Sequence, residues 1–155
     1  MVGNAIPEAI HRIVYISAFC PSTPEAPSAM ASSQTLEPTQ GISAPEALED
    51  FRVTNMPEAT LEQMLPVLNF GMQPEDSANT NFADARVVAD TWGRTPSYIR
   101  LTRDNTISPA LATKMIDDAD RLTPDNFFDV HSLPAGHAGV ALQARELAAI
   151  LDKLA

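Results

Sequence analysis

A single cysteine, Cys20, stands in a chain of 155 residues. That excludes an internal disulfide and fits a reducing cytosol. Basic residues are few, 10 Lys and Arg against 20 Asp and Glu, a formal net charge of −10. So acidic a chain is repelled by nucleic-acid phosphate and by anionic membrane surfaces, and neither is expected as a partner. No apolar run approaches the ~20 residues that a membrane span needs. The first residues lack the charged-then-apolar pattern of a secretory signal. A soluble cytoplasmic protein is expected. There is no CxxC pair and no Gly-rich phosphate loop, so no cofactor is implied.

What is present suits one packed domain. Apolar residues make up 45% and charged residues 19%, and the length matches a single domain. Residues 1 to 11 read as the tail of a helix broken by Pro7. Arg12 to Phe19 is a short apolar run rich in β-branched and aromatic residues, the pattern of a strand buried on both faces. Pro21 to Pro45 holds many Pro, Ser, Thr and Ala residues without apolar periodicity and reads as a loop or loosely packed arm. Thr60 and Gln63 form a capping box, followed by a helix whose Leu61, Met64, Leu65 and Leu68 share one face. Pro66 should kink or shorten that helix. A further helix is predicted from Asn81 toward Trp92.

From Ser97 onward the chain alternates strand, acid-bearing loop, helix, strand, histidine-bearing loop and helix. Tyr98 to Thr102 is the strand before Asp104. Ser108 is an N-cap with Pro109 at the first helical position, and Leu111, Met115 and Leu122 give that helix its core stripe. Phe127 to Leu133 is the last strand. Leu147, Ile150, Leu151 and Leu154 give the closing helix its buried face. Parallel strands near residues 12–18, 97–102 and 126–132 should lie side by side in that order. In an open parallel sheet the carboxyl ends meet on one edge, where such sheets place their chemistry. Asp104 and His137 each follow a strand, so they should be neighbours.

Each of these residues also has a plain structural reading. Asp104 suits an Asx-type turn before the Ser-Pro cap, and His137 suits a surface loop. His131 and His137 with Asp129 fall short of the three or four converging ligands of a zinc site; His131 reads as a satisfied strand histidine, and no metal is expected. His11 reads as solvated. Cys20 has no basic neighbour to lower its pKa and reads as a buried apolar-like thiol. Packing accounts for Trp92 and Tyr98 around the turn at residues 93–96. Asp117, Asp118 and Asp120 late in a helix oppose its dipole and read as a solvated face. Ser17 lies in a strand, not on an exposed turn, and is not expected to be a nucleophile.

Two stretches carry a resemblance. Asp104 before His137, each after a strand, with glycine preceding the histidine, resembles the C-terminal end of an α/β-hydrolase, in the branch of small plant-type esterases and hydroxynitrile lyases. Pro7 to Pro21, with its Pro-Glu turn and its strand running into Ala18-Phe19-Cys20-Pro21, resembles the same family just after its nucleophile. The resemblance implies an α/β class fold: the C-terminal part of an α/β-hydrolase, with parallel strands, flanking helices and a helical cap insertion. Residues 1–21 and 93–155 would be the core sheet and helices, and residues 22–92 the cap. Asp104 and His137 would be the last two members of a nucleophile–acid–histidine triad, with a carboxylate oxygen about 2.7–3.2 Å from the imidazole Nδ1. The Gly-x-Ser-x-Gly elbow is absent, because after Gly3 the next glycine is Gly41.

The nucleophile and oxyanion hole would then lie upstream of Met1, and the chain should seek a complementing N-terminal half or self-associate. The run from Ala138 to Leu147 lacks the bulky residues and proline common in the family, which implies a more open pocket wall. The resemblance implies hydrolysis of an ester or related bond in a small-molecule substrate. The alternative is a non-catalytic remnant of the fold serving as an interaction module.

Overall fold

A computed structural model describes residues 6–20, 45–71 and 95–155. Among them three strands, β1 (Arg12–Ile16), β2 (Thr95–Leu101) and β3 (Asp129–Leu133), form one parallel sheet in the order β1-β2-β3. The expected alternation is therefore present, and the chain is of the α/β class. Among the described residues four helices accompany the sheet: α1 (Pro45–Asn55), α2 (Leu61–Gly71), α3 (Pro109–Leu122) and α4 (Ala144–Leu154). Short 3-10 turns lie at Pro7–Ala9 and Gly139–Leu142; residues 1–5 of the expected helix tail lie outside the described residues. The helix expected from Asn81 toward Trp92 lies outside the described residues. No helix among the described residues is long and apolar enough to cross a membrane.

Side chains alternate across a strand, and here that alternation divides the sheet between two cores. On one face Tyr15 and Tyr98 meet Phe128 and the apolar stripe of α3, with Cys20 and Ile107 closing the cluster. The Tyr15 and Tyr98 rings stack with centroids 6.3 Å apart, and Phe128 meets Tyr98 edge-on at 6.5 Å. On the other face Val14, Ile16, Ile99, Leu101 and Leu133 meet Leu147 and Ile150 of α4. A third cluster of Met56, Ala59 and Met64 sits between α1 and α2, and Ala138 packs against it.

Several boundaries differ from the sequence reading. β1 ends at Ile16 rather than Phe19 and is half-buried; among the described residues β2 is its one strand neighbour. β2 is the central strand and is buried along most of its length. β3 begins at Asp129, since the Phe128 amide donates instead to Asp120 Oδ1 at 2.9 Å. That bond gives Asp120 a structural task, while Asp118 pairs with Lys114 and Arg121 as a solvated acid would.

The stripe on α3 is Ala112, Met115, Ile116 and Ala119, and Leu122 is exposed. On α2 only Met64 of the expected face is fully buried, with Leu61 and Leu65 exposed and Leu68 half-buried. Helix α2 also runs through Pro66 to Gly71 without stopping. Helix α1 opens on Pro45 and Glu46, where the stretch read as a loop ends; residues 21–44 of that stretch lie outside the described residues.

Both expected caps are present. Gln63 N donates to Thr60 Oγ1 at 3.3 Å and Thr60 N donates to Gln63 Oε1 at 2.9 Å, and Leu111 N donates to Ser108 Oγ at 3.2 Å.

Candidate functional site

At the carboxyl edge of the sheet, β2 and β3 are each followed by a short loop. After β2 the pairing continues briefly, with Thr102 N donating to Leu133 O and Arg103 N to Ala135 O. Asp104 thus enters its loop with the backbone already held against the loop that follows β3. The segment from Pro134 to Ala138 then delivers His137. An Asp104 Oδ2 to His137 Nδ1 distance of 2.7 Å joins the two residues, at the short end of the expected range.

Asp104 is 1% exposed, and a buried carboxylate is tolerated only when its oxygens are satisfied. Oδ1 accepts from Thr106 N at 2.7 Å and Ile107 N at 2.8 Å. Oδ2 accepts from Ser17 Oγ at 2.6 Å and from the imidazole. An ionised carboxylate offers about four lone-pair sites, and all are in use. Burial alone pushes the Asp104 carboxyl up. The hydrogen bonds from His137 and Ser17, the charge interaction with His137 and the Ile107 amide outweigh it and hold the group below its ordinary value. Asp104 is therefore an acceptor, and His137 Nδ1 must carry the proton between them. In the neutral ring that leaves the lone pair on Nε2.

The two readings of Asp104 are not rivals. Oδ1 closes the Asx-type turn that leads to the Ser108 cap, while Oδ2 faces the histidine.

Ser17 was the residue that sequence reasoning set aside. It lies just past β1, is 1% exposed, and has φ 37°, the left-handed region. Such a conformation in a non-glycine residue costs on the order of 1–3 kcal/mol and persists where the surroundings enforce it. Here its N–H donates to Ile99 O at 2.9 Å while its hydroxyl turns to Asp104. The turn at φ 37° lets the chain leave the sheet with that hydroxyl pointing inward. Its register beside the strand that precedes Asp104 was the available clue, since a serine at the carboxyl end of one parallel strand faces the loop following its neighbour.

The chain matches no family model and no curated protein sequence. The site is therefore read from its own geometry.

The other sequence candidates stand apart from this pair. His131 Nε2 lies 3.1 Å from Asp129 Oδ1 on β3, and no cluster suited to a metal occurs among the described residues. His11 is exposed. Cys20 is fully buried, and burial, with Asp120 nearby, pushes its thiol up to about 12. Tyr98 packs as expected, and its hydroxyl donates to Ala18 O at 2.9 Å. Trp92 lies outside the described residues.

Gly136 serves close approach: a Cβ there would lie 2.5 Å from Pro57 Cδ and 2.6 Å from Asn55 O.

Proposed function

We propose that Asp104 and His137 are the acid and base of a Ser-His-Asp triad, in an α/β-hydrolase acting on an ester or related small-molecule bond. On this reading the parallel sheet is the C-terminal part of that fold, and residues 22–92 include its cap. The observation that carries it is the 2.7 Å contact between the His137 ring and a buried, fully hydrogen-bonded carboxylate at the carboxyl edge of a parallel sheet.

Each residue has a defined step. Asp104 holds Nδ1–H, fixes the tautomer and stabilises the imidazolium. Nε2 takes the hydroxyl proton as a serine oxygen bonds to the carbonyl carbon, and His137 returns that proton to the departing alcohol. The side chain of His137 is 37% exposed, so its free edge can reach a reacting group. Ser17 is not that nucleophile, because its proton is directed to Asp104 rather than to the imidazole. The nucleophile belongs to polypeptide outside these 155 residues, either a preceding segment or a second chain.

The test follows from the missing parts. A triad enzyme lacking one member retains roughly 10³–10⁴ over water through its oxyanion hole and substrate binding. Residues 1–155 contain no Gly-x-Ser-x-Gly elbow, so alone they should show no His137-dependent hydrolysis of p-nitrophenyl acetate. The DNA upstream of Met1 is to be read in all frames for a strand followed by that elbow, and the joined polypeptide assayed. Turnover falling on the order of 10⁶-fold in His137→Ala is expected. Turnover indifferent to His137 would overturn the reading.

The alternative, an interaction module, draws support from the sheet edges. Among the described residues β1 and β3 each pair only with β2, and Phe127 and Val130 are 64% and 42% exposed. Such edges favour association. A joined polypeptide that binds but never turns over would favour that alternative.

A further inference from the structure

Resting on the acid–histidine reading, we infer that the turn Asn55–Glu58, between α1 and α2, is a clamp that sets the approach of His137 to Asp104. Asn55 and Glu58 are its positioning residues.

The contacts fall on both sides of the histidine. Gly136 N donates to Glu58 Oε1 at 2.9 Å, and Ala138 N donates to Asn55 O at 2.9 Å. The amides of the residues on either side of His137 are thus tied to the same turn, across 78 residues of sequence in the case of Glu58. The acid loop is tied to it as well, since Thr106 Oγ1 donates to Asn55 Oδ1 at 2.9 Å. Asn55 is itself oriented by Nδ2 donating to Phe51 O at 3.1 Å.

Beneath the turn, Met56 and Met64 are fully buried, and Ala138 packs on the same cluster. The fit leaves no slack. Gly136 has Pro57 and Asn55 where a side chain would begin, and a Cβ on Gly139 would run into the Glu58 carboxylate. One turn therefore grips the acid loop and the histidine loop together, and holding such loops through packed neighbours is how a site keeps its working distance.

The readout is the His137 Nδ1 proton, which NMR of the full chain should show as an exchange-protected imidazole resonance that Asp104→Asn abolishes. Glu58→Gln keeps a carbonyl acceptor for Gly136 N and should leave that resonance unchanged. Glu58→Ala and Asn55→Ala should exchange it about tenfold faster, the factor carried by one lost hydrogen bond, while amides of β2 and α3 keep their protection. Gly139→Ala is a second route, since its methyl displaces Glu58 without deleting a side chain, and the same acceleration is expected.

An unchanged exchange rate in folded Glu58→Ala or in folded Gly139→Ala overturns the clamp. Absence of the resonance from the unaltered chain removes the acid–histidine pair itself, and the clamp with it.

Discussion

Replacing Asp104 by asparagine keeps the shape and removes the charge, and its consequences follow from the four hydrogen bonds. Oδ1 still accepts from Thr106 N and Ile107 N, which fixes the amide orientation and places the new NH2 where Oδ2 had been. That group now faces two donors, Ser17 Oγ and His137 Nδ1. The serine hydroxyl can rotate to accept. The imidazole can accept only by moving its proton to Nε2, the position that a general base needs free.

A hydrogen bond to a charged group contributes about 1.5–3 kcal/mol, so Asp104→Asn should lose about that much stability in urea unfolding near neutral pH. The pH dependence has a definite sign. The folded-state pKa of Asp104 lies below its ordinary value of 3.8, so its contribution is complete above that value and disappears as pH falls through the lower folded value. The gap between native and variant should therefore be widest above about pH 4 and close on further acidification. A gap under about 0.5 kcal/mol near neutrality, or one that widens in acid, would refute this account of the carboxylate. So would a His137 ring that keeps its proton on Nδ1 in the variant.

Other substitutions probe single features. Ser17→Ala loses a hydrogen bond to a buried carboxylate and should cost about 1.5–3 kcal/mol in urea unfolding. Ser17→Gly loses the same bond but relieves the left-handed backbone at φ 37°, and should be more stable than the alanine variant by about 1 kcal/mol; equal stabilities would show that the backbone is not strained. Met64→Ala empties a fully buried site between α1 and α2 and should cost about 2–5 kcal/mol, a loss that thermal unfolding would register. Cys20, buried and with its thiol pushed up to about 12, should resist iodoacetamide at pH 8 in the native chain and react at once in urea. Rapid native labelling would contradict its burial.

Much of this arrangement was legible along the chain because local physics writes it there. The Thr60–Gln63 capping box joins residues three apart and the Ser108–Pro109 start joins neighbours, and both helix starts are formed. The strand–helix–strand alternation of apolar runs determined the parallel order β1-β2-β3, since consecutive crossovers leave few other arrangements. That order in turn brought Asp104 and His137 to one edge.

Periodicity could not say which apolar positions would be covered. Leu61, Leu65 and Leu122 share helical faces with buried residues yet stand exposed, because burial depends on what packs opposite. Helix α1 was hidden beside a Pro-rich stretch, the end of β1 depends on the left-handed turn at Ser17, and the start of β3 depends on the Phe128 amide finding Asp120.

The decisive additions come from residues distant in sequence. Ser17 reaches Asp104 across 87 residues, and Glu58 reaches Gly136 across 78. By itself the sequence determined the class of the fold and the meeting of one acid with one histidine, for those follow from patterning within each segment and the short connections between them. Only the tertiary structure decided what holds the pair, because a buried carboxylate must find all its donors and those donors come from whichever segments the packing brings near.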